Sequence, residues 1–166
     1  HSLSASVKGS HNGVSHNHND VGVYSVALGK TCMVQDPGNQ AYNLDTFGPK
    51  RYDSVFRNSY GHIVPLPAGV LQKTGAKYGA KVVSTRFSDD RDTIVLDLSG
   101  AYADPRIIEL SRSMTYCRDD ETVIVEDVAA FTEPSSFETP VTTYGDVIET
   151  DRKDEFVVVR KDGGIE

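Results

Sequence analysis

Apolar and β-branched residues along this chain fall into short runs separated by polar turn residues, the pattern of strands joined by hairpins. Val21-Gly-Val-Tyr-Ser-Val-Ala-Leu28 is one run, and Thr31-Cys-Met-Val-Gln35 follows after Gly29-Lys30. Two residues between two such runs predict a hairpin. Lys81 to Phe87 and Thr93 to Leu98 flank the polar turn Ser88-Asp-Asp-Arg91 and predict a second hairpin. Ile107 to Cys117 alternates with period two, turns at Asp119-Asp120, and returns through Glu121 to Val128. Phe137 to Thr143 and Phe156 to Arg160 read as further strands, the last with its partner expected beyond Glu166. Strand following strand at this spacing predicts an all-β fold, an antiparallel β-sandwich or barrel with few or no helices.

Helix is scarce. Tyr52 to Asn58 predicts one or two turns, inside an otherwise loop-like stretch from Asp36 to Pro67 rich in proline and glycine. A long irregular segment within a compact domain is often functional.

Composition narrows the function. At 166 residues the chain can bury a core without metal or disulfides. A net charge of -7 disfavours nucleic acid as a partner. No apolar run approaches the roughly 18 residues of a membrane helix. Two cysteines, Cys32 and Cys117, exclude a disulfide scaffold and read as small buried hydrophobes. The chain opens on His1-Ser-Leu-Ser4 rather than Met, so residues 1–4 are expected to be a tag remnant or cut end. Residues 5–145 form the expected domain, and 146–166 a charged segment with one strand.

The candidate chemistry lies in Ser10-His-Asn-Gly-Val-Ser-His-Asn-His-Asn-Asp20. In an extended backbone His16, His18 and Asp20 would point to one face, and imidazole with carboxylate is a metal-ligand set. Asp36 closes the first hairpin, which returns it beside His18. The only histidine downstream of these is His62, in Asn58-Ser-Tyr-Gly-His62. His18, Asp36 and His62 are therefore the predicted metal site, suited to zinc. Lys50 and Arg51, beside Tyr52, are candidates for contact with an anionic sugar. Arg106 and Arg112 are expected to pair across strands with Asp97, Glu109 or Asp127.

The runs Ser15-His-Asn-His-Asn-Asp-Val-Gly22, Gln35-Asp-Pro-Gly38 and Asn58-Ser-Tyr-Gly-His62 resemble the C-terminal domain of the heparinase II/III-like polysaccharide lyases. Arg112-Ser-Met-Thr-Tyr-Cys-Arg118, followed by Thr122-Val-Ile-Val-Glu-Asp127, is similar to that domain's paired strands. The resemblance implies a β-sandwich of the super-sandwich type, packed behind an N-terminal helical toroid of the same full-length chain. It implies β-elimination on an anionic, uronic-acid-containing polysaccharide such as a glycosaminoglycan or alginate, in the bacterial periplasm or outside the cell. His18, Asp36 and His62 match the family's structural zinc site, and His16 its substrate-facing histidine. Some members add a tyrosine from this domain; Tyr42, Tyr52 and Tyr60 are the candidates, and Tyr52 is selected. Other catalytic groups come from the toroid, so the chain alone is expected to be inactive.

Two other readings compete. Gly13-x-x-His16-x-His18 on a barrel would suit a cupin-like metal enzyme, but no glutamate occurs before Glu109. A non-catalytic carbohydrate-binding or structural module would fit the fold, although the chain has no tryptophan for a flat sugar platform.

Overall fold

The computed structural model describes residues 3–41, 44 and 46–159. Among them the chain is mostly strand, arranged in several antiparallel sheets with no barrel, a sandwich-like all-β fold. The largest sheet has four strands: β7 (Lys81–Phe87), β8 (Arg91–Asp97), β9 (Ile107–Cys117) and β10 (Thr122–Phe131), in the order β10-β9-β8-β7. A three-stranded sheet is built from β1 (Leu3–Val7), β3 (Tyr24–Leu28) and β4 (Thr31–Val34), with β3 in the middle. Short two-stranded pairs join β2 (His11–Asn12) to β6 (Gly75–Gly79) and β5 (Leu66–Pro67) to β11 (Phe137–Glu138).

All three predicted hairpins form: β3–β4, β7–β8 and β9–β10. Residues Gly29 and Lys30 turn β3 into β4, and Leu28 opposes Thr31. The β9–β10 pair runs almost without interruption from Thr122↔Cys117 to Ala130↔Glu109. Its alternation buries Leu110, Arg112 and Met114 on one face and leaves Ser111, Ser113 and Thr115 half-buried on the other. Val21, Leu96, Leu98, Ala101, Tyr102, Ile107 and Leu110 form the core, with Val7, Ile94 and Phe131 packed against them.

Several elements differ from expectation. The first strand of the early hairpin starts at Tyr24 rather than Val21. Residues 20–23 turn instead, with Gly22 at φ +92° and the Val23 amide donating to the Asp20 carbonyl. A Cβ on Gly22 would lie 2.9 Å from the Leu98 side chain, so the turn needs glycine for space as well as for its dihedral. Leu3 and Ser4, assigned to the cut end by sequence, are strand residues opposite Leu28 and Ala27. Of Tyr52–Asn58 only Tyr52 and Asp53 are helical, as part of one 3-10 turn, Arg51–Asp53; a second, Ser59–Gly61, follows the segment. A short helix, α1 (Ser99–Tyr102), takes a place where none was predicted. Phe137 to Thr143 is strand only at its first two residues. The apolar run near the end is β13 (Phe156–Val159), and its partner is β12 (Asp146–Glu149), upstream rather than beyond residue 166.

One buried ion pair ties these pieces together. The Arg112 side chain on β9 is fully buried and faces Asp127 on β10, its register partner. Nε and Nη2 donate to the two carboxylate oxygens at 2.7 and 2.8 Å. Nη1 donates to the carbonyls of Gly22 and Ile63 at 2.7 and 2.8 Å. The guanidinium also lies over the Tyr24 ring, 5.2 Å from its centroid. Of the predicted partners Asp127 is the one found. Arg106 instead pairs locally with Asp104.

Removing one member of a buried pair leaves the other charged and unmatched, at a cost of about 3–5 kcal/mol. Arg112→Met is therefore expected to lower unfolding stability by about that amount, read as a fall in urea midpoint. A loss below about 1 kcal/mol, the range of a surface pair, would contradict the assignment.

Candidate metal centre

Three segments converge at one end of the sandwich. The first is the turn after β2. Asn19 and Asp20 are buried there, and the Asn19 amide donates to the Arg57 carbonyl at 2.9 Å. Next comes the stretch after β4, which carries Asp36. Its neighbours are strapped to the chain near residues 142–144. Gln35 N donates to Thr142 O at 3.1 Å, Thr142 Oγ1 donates back to Gln35 O at 2.6 Å, and the Tyr144 hydroxyl donates to Pro37 O. The third is the 3-10 turn Ser59–Gly61, which delivers His62. Asn58 caps it by accepting from the Tyr60 amide at 2.9 Å. A Cβ on Gly61 would sit 2.2 Å from the Val55 carbonyl, so no larger residue fits just before His62.

The result is a group able to hold a metal ion. One ligand atom each from Asp20, Asp36 and His62 lies within 4.8 Å of the others. The His62 ring has no exposed surface, and its Nδ1 is 2.6 Å from Asp36 Oδ1. If Nδ1 donates to that carboxylate, Nε2 carries a lone pair, and Nε2 is buried with no hydrogen-bond partner. A buried acceptor left unmatched costs about 1–3 kcal/mol, a penalty that a bound cation removes. The His18 ring stands against His62, with centroids 5.2 Å apart. Of the three predicted ligands, Asp36 and His62 belong to this group, while His18 stands beside it and is not part of it. The third place is taken by Asp20, which sequence reasoning put beside His18 but left out of the ligand set.

The extended backbone expected for residues 16–20 is not what brings them together. Residues 13–16 turn, and His16 itself is left-handed at φ 61°. His16 is consequently exposed, its ring 5.1 Å from that of Phe47, while His18 points inward. Asn17, between them, is held at three points. Its Nδ2 donates to His18 O at 2.8 Å, its Oδ1 accepts from the Tyr52 hydroxyl at 3.1 Å, and its carbonyl accepts from Arg51 Nη2 at 2.8 Å.

Arg51 forms no ion pair among the described residues; its other donor contact is to Thr46 O. Its guanidinium lies over Phe47 and Tyr52, 5.7 and 5.5 Å from the centroids. His16, Phe47, Arg51 and Tyr52 therefore share one polar, cationic face beside the metal group. Lys50 is exposed on a neighbouring cleft with Gln40 and Asp53. Tyr60 is exposed, while Tyr42 lies outside the described residues. Cys117 is buried and Cys32 half-buried, neither bonded to the other.

Scanned against models of known families and against curated proteins, the chain matches none.

Burial, the neighbouring His62 and the Arg51 charge hold the His18 pKa below its usual 6.5, and Asp20 and Asp36 offset this only partly. The unfolded chain therefore binds a proton at His18 more readily than the folded one. Stability from this source is present above pH 6.5 and is lost as pH falls below it. The metal-free protein is expected to lose stability as pH falls below about 6.5, and His18→Gln to flatten that part of the profile. A profile unchanged by the substitution would count against the inward placement of His18.

Proposed function

We propose that this chain is the C-terminal β domain of a polysaccharide lyase that cleaves uronic-acid-containing glycans by β-elimination, with a structural zinc ion held by His18, Asp36 and His62. The convergence of Asp36 and His62 with Asp20, the His18 ring standing beside them, supports the reading, because it joins motifs that the sequence resemblance alone had linked. An imidazole and carboxylate donor set with one orphaned buried nitrogen suits zinc, and Asp20 supplies a further oxygen.

In this reading zinc, when bound, fixes the three loops and so the angle at which His16 is presented. The chemistry belongs to the face beside it. β-Elimination removes the proton from C5 of the uronic acid. Its electron pair forms the C4–C5 double bond, and the C4–O bond breaks with a proton delivered to the leaving oxygen. Charge builds on the sugar carboxylate as C5 is deprotonated, and fixed cationic or N–H donors there lower the barrier. His16 is exposed and able to donate to that carboxylate or to take part in proton transfer. The Tyr52 hydroxyl, anchored on Asn17, is the candidate acid or base from this domain. Arg51, with no carboxylate partner among the described residues, keeps its charge for an anionic sugar, and Lys50 extends the cationic edge. The remaining catalytic groups would come from an N-terminal helical toroid, so the isolated domain is expected to bind metal without turning substrate over. Among the described residues no closed barrel supports the cupin alternative.

Purified chain is expected to carry near-stoichiometric zinc by elemental analysis, and His62→Ala to lose it. The longer chain, joined to its toroid, is expected to release products absorbing in the ultraviolet from a uronic polysaccharide. His16→Ala is expected to lower that rate by about 100-fold or more while leaving zinc in place. Wild-type protein with no bound zinc would sink the metal assignment. A metal-loaded, full-length protein inert on every uronic polysaccharide would sink the lyase.

A further inference from the structure

Lys8 reaches the metal group from a direction that neither the motifs nor the ligand set announces. It lies just past β1, where its amide donates to Val23 O and its carbonyl accepts from Gly22 N, both at 2.8 Å. This pairing extends the β1–β3 ladder through the turn that carries Asp20. The Lys8 ammonium is thereby aimed at Asp20 and donates to its Oδ1. The lysine side chain is one-third exposed, at 34%, and the aspartate nearly buried, at 11%. Among the described residues no other group bonds the Asp20 carboxylate.

We propose that Lys8 is a built-in competitor for the metal, an ammonium that balances the Asp20 carboxylate when the ion is absent and weakens metal binding by doing so. This rests on the reading of Asp20, Asp36 and His62 as a metal group. Two carboxylates close to one another in a mostly buried site repel, and a fixed ammonium relieves the repulsion. A divalent cation neutralises both carboxylates by itself. Lys8 then becomes a surplus positive charge beside the ion and must release an oxygen that Asp20 needs for ligation. Both effects stabilise the metal-free state relative to the loaded one. Lys8 therefore sets the affinity of the site and leaves its geometry to the other ligands. Because Lys8 is held through its backbone, replacing the side chain leaves the turn that positions Asp20 in place.

The test is titration of zinc into metal-free protein at pH 7 against a chromophoric chelator, for wild type, Lys8→Met and Lys8→Gln. Methionine keeps the apolar stem without charge, and glutamine keeps a polar contact to Asp20. Both variants are expected to bind zinc about tenfold more tightly than wild type, with the gap narrowing as salt is raised. Zinc binding by the variants alone would also support the proposal. Should Lys8→Met fail to fold, Lys8→Gln carries the comparison. Wild type that binds zinc, with variants equal to it or weaker, overturns the role of Lys8 and leaves the metal group standing. No zinc binding by any of the three overturns both.

Discussion

The contact between Arg112 and its surroundings is the constraint on which the rest of the structure depends. One buried guanidinium closes a bidentate pair to Asp127 across β9 and β10 and spends its remaining donors on the carbonyls of Gly22 and Ile63. Those carbonyls belong to loops that hold no regular ladder of their own. Gly22 lies two residues after Asp20, and Ile63 immediately follows His62. The largest sheet thus fixes the two loops that bring a carboxylate and an imidazole to the same point. Asp127 also accepts from Thr139 Oγ1 at 3.0 Å, which draws in the segment leading to Thr142 and so to the strap on Asp36. A buried charge needs every lone pair and proton matched, and here the matching groups are the loops themselves. The polar core is therefore the means by which irregular backbone acquires a defined place.

A second buried network supports the same end of the molecule. The Gln72 side chain accepts from the Val21 amide at 3.0 Å and donates to the Val21 carbonyl at 2.7 Å, as a neighbouring strand would. It also accepts from Asn12 at 2.9 Å. Tyr102 donates to Pro65 O, and burial pushes its phenol well above the usual range, so the hydroxyl stays protonated as a donor. Gln72 satisfies the backbone of Val21, and Arg112 the carbonyl of Gly22, whose amide goes to Lys8 O in the extension of the β1–β3 ladder.

What could be read from the sequence was what depends on local pattern. Period-two alternation located Ile107–Cys117 to the residue, and two polar residues between apolar runs located the β3–β4 turn. The proximity of Asp36 to His18 followed from hairpin geometry. The elements that escaped were those whose signal is not local. Strand β1 has serine at every second position, too polar to stand out, and earns its place by pairing with β3. Strand β12, Asp146–Glu149, is a four-residue strand with acidic ends, visible only through its partner. The same holds within the site. Asp20 was legible two residues from His18, but Lys8 is an ordinary lysine until the ladder aims it. The backbone of residues 16–20 was misread because alternation assumes an extended chain. The left-handed turn at His16 sends that ring outward and the His18 ring inward.

That turn matters for what the site can do. A non-glycine residue held left-handed costs on the order of 1 kcal/mol and persists only where its neighbours impose it. Here the imposing residue is Asn17, tied to His18, Tyr52 and Arg51. The orientation of His16 therefore depends on two anchors, the inward-facing His18 and the aromatic and cationic cluster around Arg51. This bears on a difficulty that charge poses for the proposed polysaccharide substrate. A chain of net charge -7 repels a polyanion at long range. Screening confines that repulsion to about 8–10 Å in physiological salt, whereas contact with a sugar carboxylate is decided within the first few ångströms. On the polysaccharide reading, an anion at that distance would meet Arg51, whose side-chain donors bond carbonyl oxygens among the described residues, with His16 and Tyr52 beside it. The Asp20 carboxylate is nearly buried and opposed by Lys8, and that of Asp36 faces His62. Local cationic character on an acidic domain follows from tying Arg51 to the carbonyl of Asn17, on the same five-residue turn that carries Asp20.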